Sequence, residues 1–245
     1  MDYIVETKGL TKQYGDKEVV KDVDLKVPRA HVYGFMGPNG AGKSTTLKMI
    51  LGLIRKSAGQ VTIDGISVNR KNRIEVLKET GSLIESPSYY GHLTGRENLE
   101  IVRTLKNVPE QEIDQVLKLV RMESQQNKRV REYSLGMKQR LGLAAALLGR
   151  PELLILDEWL NYKLTEKDAK NLYELFEQRS GNNSTIFVGQ FPVDEWHNRL
   201  GGGTQADSIM DRIIHNAYEI PTNETNLRKL YDSKKLKRLV DEIEA

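Results

Sequence analysis

The chain has 245 residues, of which 38% are hydrophobic and 29% are charged, and its formal net charge at pH 7 is +3. This length and composition are typical of a globular protein with one or two domains, which buries enough surface to fold without disulfides or a structural metal. Because the chain has no cysteine, a disulfide framework, a zinc site with cysteine ligands and a thiol nucleophile are excluded.

Several other classes of protein are disfavoured by the sequence. No apolar run approaches the roughly 20 residues that a membrane-spanning helix needs. The first ten residues, MDYIVETKGL, lack the basic and then apolar pattern of a secretory signal, so we expect a cytoplasmic location. The net charge is too small to indicate nucleic-acid binding by itself.

The spacing of apolar residues predicts a mixed α/β chain. In chain order, the predicted elements are strands at 3–14 and 17–27, a strand at 31–36, a helix at 46–53, a hairpin at 59–68, a strand at 82–84, helices at 97–105, 110–120 and 137–148, a strand at 153–156, a helix at 165–178, a strand at 184–189 and a helix at 206–216. This order indicates a mainly parallel sheet core, an N-terminal antiparallel β subdomain and a helical insert over about residues 87–145, in one domain that spans residues 1–245.

A phosphate-binding loop lies between the strand at 31–36 and the helix that follows it. Residues 37–44 read GPNGAGKS and match G-x-x-x-x-G-K-[ST] at every position. In such loops glycines let backbone N–H groups close around phosphate oxygens, the lysine reaches the β- and γ-phosphates, and the hydroxyl joins a Mg²⁺ shell. The nucleotide-binding candidates are therefore Gly37, Pro38, Asn39, Gly40, Ala41, Gly42, Lys43, Ser44 and Thr45, with Lys43 also catalytic and Ser44 also a metal ligand.

An acidic pair follows the apolar strand at 153–156. We expect Asp157 to hold Mg²⁺ through water and Glu158 to orient or polarise the attacking water. An apolar run that ends in acidic residues is a weak signal alone. Together with the phosphate loop it predicts binding and hydrolysis of ATP or GTP, and it identifies the fold as a P-loop NTPase.

The first 157 residues resemble the ATP-binding subunits of ABC transporters, in particular the group that serves bacitracin and lantibiotic export or self-immunity. The resemblance depends on GPNGAGKSTTLKMILGL and on SLGMKQR at 134–140, which matches the ABC signature. It implies that Tyr14 stacks on adenine and that Ser134, Gly136 and Gln139 contact the nucleotide of the opposite subunit in a homodimer. For Ser134 alone, a helix cap is the simpler interpretation.

One departure lies within this part of the chain. After the strand at 82–84 the family usually has a glutamine that contacts Mg²⁺ and the transmembrane partner, whereas this chain has Glu85. We keep Glu85 as a metal candidate by resemblance.

The ABC pattern stops after Glu158. An ABC protein should continue with Pro-Thr-x-Gly-Leu-Asp and carry a histidine after the next strand, whereas this chain reads WLNYKL and has Gln190. Residues 153–245 instead resemble the C-terminal part of IstB-type transposition helper ATPases of the AAA+ class, on LLILDEWL, STIFVGQFPVDEWHNRLGGG and ADSIMDRIIHNAYEI. That resemblance implies that Gln190 senses the γ-phosphate, that Arg212 reaches a neighbouring subunit's nucleotide and that Arg228 closes over the phosphates. For His197 a structural role is expected.

The two resemblances meet at Asp157 and Glu158, so we interpret the chain as a hybrid, ABC-like over 1–157 and IstB-like over 158–245. The leading hypothesis is a Mg-ATP-binding, ATP-hydrolysing ABC subunit that dimerises and drives a membrane permease at the inner face of the cell membrane. The alternatives are an IstB-like helper ATPase that contacts DNA and a transposase, and a nucleotide-binding domain with impaired hydrolysis.

Overall fold

The computed structural model of the chain describes residues 2–37, 40–85, 89–158, 160, 166–179, 181–191 and 193–214. The strands in these ranges are Tyr3–Tyr14 (β1), Lys17–Val23 (β2), Lys26–Pro28 (β3), Val32–Met36 (β4), Ala58–Ile63 (β5), Ile66–Ser67 (β6), Thr80–Leu83 (β7), Leu153–Leu156 (β8) and Ser184–Gly189 (β9). The α-helices are Lys43–Ile50 (α1), Arg73–Lys78 (α2), Gly95–Lys106 (α3), Gln111–Leu119 (α4), Leu135–Leu147 (α5), Glu166–Arg179 (α6), Trp196–Arg199 (α7) and Gly203–Ile214 (α8).

The N-terminal strands form an antiparallel sheet in the order β2-β1-β5-β6, with β3 also paired to β1. Apolar side chains alternate with polar ones along β1, and Val5 and Leu10 are fully buried. This pattern is typical of a sheet with one face against the core. The sheet packs near α1, which begins directly after the phosphate loop.

A second sheet is parallel throughout, in the order β4-β9-β8-β7. Every residue of β8 and β9 is buried, as expected for central strands covered on both faces. In a parallel sheet the carboxyl ends of neighbouring strands lie at the same edge, which is where ligands bind in such folds. This edge therefore brings together the phosphate loop after β4, Gln190 after β9 and Asp157 after β8.

Helices α3, α4 and α5 pack together and share a hydrophobic cluster with β8 and α6. The Lys106 ammonium group at the end of α3 donates to the carbonyl oxygens of Thr80 and Leu148, at 3.3 and 2.9 Å. These bonds join α3 to the first residue of β7 and to the end of α5.

Most predicted elements are present, and the predicted α/β fold is confirmed. The predicted strand at 17–27 is instead two strands, β2 and β3, which are separated by Asp24 and Leu25. The sequence did not predict α2 or the four-residue helix α7. Within the described ranges, no helix has the length and apolar character needed to cross a membrane.

Candidate functional site

The phosphate loop approaches β2 closely at Gly42. Gly40 and Gly42 have φ values of +86° and +84°, which favour glycine. A Cβ atom on Gly42 would lie 2.8 Å from the carbonyl oxygen of Val19 and 2.9 Å from a side-chain carbon of Val20. The Gly42 carbonyl oxygen accepts hydrogen bonds from the backbone N–H and the hydroxyl of Thr46, at 2.8 and 2.9 Å. Pro38 and Asn39 lie outside the described residues.

Lys43, the first residue of α1, directs its ammonium group back to the loop. Its Nζ atom donates to the carbonyl oxygen of Gly37 at 2.5 Å, and the residue is 9% exposed. Burial lowers the pKa of Lys43, and the negative charge of Asp157 acts in the opposite direction. The predicted phosphate-binding cation therefore lies inside the site.

Asp157 is fixed at the end of β8 and is 8% exposed. Its backbone N–H donates to the carbonyl oxygen of Leu83, and its Oδ1 atom accepts from the backbone N–H of Glu158 at 2.9 Å. Its carboxylate is also hydrogen-bonded by the Ser44 hydroxyl, and burial raises the pKa of Asp157. Its buried Oδ2 atom has no hydrogen-bond partner among the described residues.

This arrangement fits Mg²⁺. A buried carboxylate oxygen without a partner is costly, and Mg²⁺ prefers oxygen ligands, with one or two from the protein and the others from water and phosphate. Within the described residues no group of three or more His, Cys, Asp or Glu side chains could hold a metal by itself. Ser44 and Asp157 are therefore suited to a Mg²⁺ site in which the protein supplies two ligands and the nucleotide and water supply the others.

A pocket of about 240 Å³ joins the loop to the ends of β8 and β9. Its described lining residues come from β2, the phosphate loop, α1 and the two strand ends: Val19, Gly40, Gly42, Lys43, Ser44, Thr45, Asp157, Glu158, Val188, Gly189 and Gln190. Eight of these are residues that the sequence singled out. Val19 was missed because alternation predicts which strand residues share a face and not which loop that face contacts.

Glu85 lies near the pocket and is turned toward α1. Its carboxylate is 2.6 Å from the Lys48 ammonium group, its side chain is 52% exposed, and its φ is +55°. Its charge contributes to raising the pKa of Asp157. Glu85 is not among the described residues that line the pocket.

Tyr14 ends β1 opposite Lys17, in the same hairpin as Val19. Its ring is 52% exposed, and the Lys12 ammonium group lies 4.4 Å from the ring centre. It is not among the described lining residues of the pocket. An adenine ring stacked on Tyr14 would therefore extend outside the pocket.

The signature segment begins α5. The Ser134 hydroxyl caps the helix by accepting a hydrogen bond from the backbone N–H of Met137 at 3.3 Å. Ser134 and Gly136 are exposed, and Gln139 is half-buried. None of the three is among the described pocket-lining residues, so this chain alone does not bring them to its own phosphate loop.

The residues implied by the second resemblance are only partly brought together. Gln190 lines the pocket. Arg212 belongs to α8, but its side chain lies outside the described residues, as does all of Arg228. His197 pairs with Asp207 at 3.0 Å and links α7 to α8, as expected for a structural role.

Two family models match the chain, in agreement with both resemblances. The model described as "ABC transporter" matches residues 20–161, and the model described as "IstB-like ATP binding protein" matches residues 118–235. The two matches overlap over residues 118–161, a range that includes Asp157 and Glu158.

Curated relatives and solved structures extend this finding. The chain is 46% identical over 198 residues to the bacitracin transport ATP-binding protein BcrA of Enterococcus faecalis, covering 80% of this chain and 63% of that protein. It therefore spans less than two thirds of that relative's length. It is 35% identical over 192 residues to the lantibiotic transport ATP-binding protein SrtF of Streptococcus pyogenes, covering 78% of this chain and 82% of that protein.

Among solved structures, an ATP-binding subunit of an ABC transporter is 26% identical, with a TM-score of 0.71 and coverage of 79% of this chain and 82% of that chain. The cassette MJ0796, in a post-hydrolysis dimer with ADP and Pi, is 21% identical, with a TM-score of 0.73 and coverage of 94% and 98%; this likeness shows the fold. With the family match over residues 20–161 and the identity to SrtF, the chain belongs to the ATP-binding proteins of the ABC transporter family.

Proposed function

We propose that the chain is the Mg²⁺-dependent, ATP-binding and ATP-hydrolysing part of a transporter that exports peptide antibiotics such as bacitracin or lantibiotics, or confers immunity to them. The observation that supports this most strongly is the pocket in which the phosphate loop, Asp157, Glu158 and Gln190 meet. The bacitracin and lantibiotic transport for which BcrA and SrtF are named suggests the class of cargo.

The phosphate loop would bind the nucleotide. Backbone N–H groups between Gly40 and Thr45 would surround the β-phosphate, as in other loops of this pattern, and the N-terminus of α1 adds its positive end. The Lys43 ammonium group would exchange the Gly37 carbonyl oxygen for phosphate oxygens. Tyr14 would stack on the adenine ring at the outer side of the pocket.

Ser44 and Asp157 would hold Mg²⁺, with Glu85 nearby as an acceptor for its water ligands. When bound, Mg²⁺ neutralises charge that develops on the β- and γ-phosphate oxygens. The Ser44 hydroxyl and the Oδ2 atom of Asp157, which has no hydrogen-bond partner among the described residues, would orient toward it. The ion pair with Lys48 keeps the Glu85 carboxylate at the side of the site.

Glu158 and Gln190 would act on the γ-phosphate side. The Glu158 carboxylate would accept a proton from the attacking water, and the Gln190 amide would orient that water or donate to a γ-phosphate oxygen. Gln190 stands where ABC proteins usually have a histidine, and its amide cannot carry a proton at neutral pH. We therefore expect slower hydrolysis than in ABC proteins with the histidine.

The signature segment would complete the site from a second copy of the chain. Ser134, Gly136 and Gln139 lie outside the chain's own pocket, and the exposed N-terminus of α5 could cover a γ-phosphate held by a partner. The same dimer would contact a membrane permease from the cytoplasmic side. Residues 1–245 would then form one P-loop ATPase domain with a helical insert over about residues 87–145.

A second candidate function is a DNA transposition helper ATPase. The IstB-like match over residues 118–235 and the position of Gln190 in the pocket favour it. In that case Arg212 would reach the nucleotide of a neighbouring subunit in a ring, and the partners would be DNA and a transposase.

A Lys43→Ala variant tests the nucleotide site that both functions share. We expect ATP affinity and turnover to fall on the order of 100-fold, because the variant loses the cation for the β- and γ-phosphates. A Lys78→Ala variant, which changes a half-buried lysine of α2 paired with Glu75, is the matched control and should behave like the parent. Unchanged ATP binding in Lys43→Ala would overturn the proposed function.

A further inference from the structure

One arginine joins the loop after β8 to the loop after β9. The Arg199 guanidinium group donates to the carbonyl oxygen of Leu160 at 3.2 Å. Its central carbon also lies 3.0 Å from the ring centre of Phe191, in a cation–π contact. Leu160 is two residues after Glu158, and Phe191 directly follows Gln190. Glu158 and Gln190, the two pocket residues on the γ-phosphate side, are thus each close in sequence to a residue that the Arg199 side chain contacts.

The loop after β8 needs such support. Glu158 and Leu160 both have a φ of +57°, a left-handed conformation that is strained for a non-glycine residue. Residues in this conformation persist when surrounding contacts hold them. Leu160 is 5% exposed within the large hydrophobic cluster, and the bond from Arg199 fixes its backbone as well.

Two other contacts orient the arginine and its partner ring. The Glu195 carboxylate accepts from Arg199 Nε at 3.2 Å, one helical turn away. The indole N–H of Trp196, which is 2% exposed, donates to the carbonyl oxygen of Phe191 at 3.0 Å. Helix α7 therefore anchors Phe191 through both its backbone and its ring.

We propose that Arg199 is a positioning residue for ATP hydrolysis: by joining Leu160 to Phe191 it holds the Glu158 loop beside the Gln190 loop. This inference rests on the proposed function of the pocket. Arg199 would act on the rate of hydrolysis more than on nucleotide affinity, because affinity depends on the phosphate loop and Arg199 has no described contact there.

The test uses Arg199→Met and Arg199→Lys in a Trp159→Phe background. The chain has two tryptophans, so Trp196 is then the single one and its fluorescence reports on α7 and Phe191. Arg121→Met is the matched control, because Arg121 has similar exposure and, among the residues described, one ion pair, with Glu174. The measurements are ATP turnover, ATP affinity and quenching of Trp196 by acrylamide.

For Arg199→Met we expect kcat to fall roughly tenfold or more, because small displacements of catalytic groups are costly, while ATP affinity changes less than about threefold. Quenching of Trp196 should increase. Arg199→Lys should lie between this variant and the Trp159→Phe parent, since lysine keeps the charge and loses the planar contact with Phe191. Arg121→Met should match the parent in all three measurements.

A kcat in Arg199→Met equal to that of the parent would overturn the proposal, as would equal losses of kcat, ATP affinity and melting temperature in both Arg199 variants. If the parent hydrolyses no ATP, the proposed function fails. Trp196 quenching then tests separately whether Arg199 joins the two loops. Increased quenching in Arg199→Met then supports the link between the loops, and unchanged quenching refutes it.

Discussion

The backbone N–H of Gly37 donates a hydrogen bond to the carbonyl oxygen of Gly189, 3.3 Å away. Gly37 opens the phosphate loop in the ABC-like part of the chain, and Gly189 precedes Gln190 in the IstB-like part. Since β4 and β9 are also paired along their length, the two parts share one sheet edge and one pocket. The change of resemblance after Glu158 therefore does not divide the nucleotide site.

Gly42→Ala should be more damaging than Gly40→Ala. Both positions have φ values above +80°, so both substitutions carry the left-handed penalty of about 1–2 kcal/mol. Only the Gly42 Cβ would collide with Val19 and Val20, whereas a Cβ on Gly40 meets no atom of the described residues within 4 Å. Compared with Gly40→Ala, we expect Gly42→Ala to bind ATP more weakly and to have a lower free energy of unfolding. Nucleotide titration and urea unfolding measure these two quantities. Equal losses in the two variants would contradict the close packing of the loop on β2.

The strands at the site were predictable from the sequence, and the contacts between distant segments were not. The apolar runs that become β8 and β9 are bounded by polar residues. Motif spacing identified Lys43 and Asp157, and the IstB-type resemblance identified Gln190. The contact of Val19 with the loop depends on how the two sheets pack, which local pattern does not encode. Helix α7 was missed because four residues are too few for a helical period to be recognised.

Asp157→Asn should stabilise the protein in the absence of Mg²⁺ and nucleotide. Burial raises the pKa of Asp157, so the folded protein favours the protonated carboxyl group. The stability that this group contributes is fully present below the unfolded pKa near 3.8 and is lost as the pH rises through the folded pKa. Near neutral pH the variant should gain about 0.5–2 kcal/mol in free energy of unfolding, and the gain should shrink toward acidic pH. Urea unfolding in EDTA at several pH values measures this.

Asp114→Asn is the control for this prediction. The pKa of Asp114 is lowered by its hydrogen bond with Arg96, so its stabilising contribution is present above the unfolded pKa and lost as the pH falls through the folded pKa. This variant should lose stability near neutral pH. A loss of stability in Asp157→Asn under the same conditions would show that the buried carboxylate has partners that the structure lacks.

Ser134→Ala and Thr94→Ala separate helix capping from action across a dimer. Ser134 caps α5, and Thr94 caps α3 in a capping box with Glu97, so each substitution should cost about 1 kcal/mol of stability. Only Ser134→Ala should also lower ATP turnover, because Thr94 lies at the start of α3 and has no proposed nucleotide contact. Equal turnover in the two variants would mean that Ser134 is a helix cap and nothing more.

The most direct test of the proposed dimeric ATPase is the mass in solution of Glu158→Gln with ATP and Mg²⁺. Removing the carboxylate that accepts the water's proton should trap ATP between two signature segments, so light scattering should give twice the mass of the 27.9 kDa chain. The Glu158→Gln, Lys43→Ala double variant should stay a monomer, because it cannot bind the nucleotide. A monomer of Glu158→Gln at saturating ATP, or a larger ring that forms on DNA, would contradict the account.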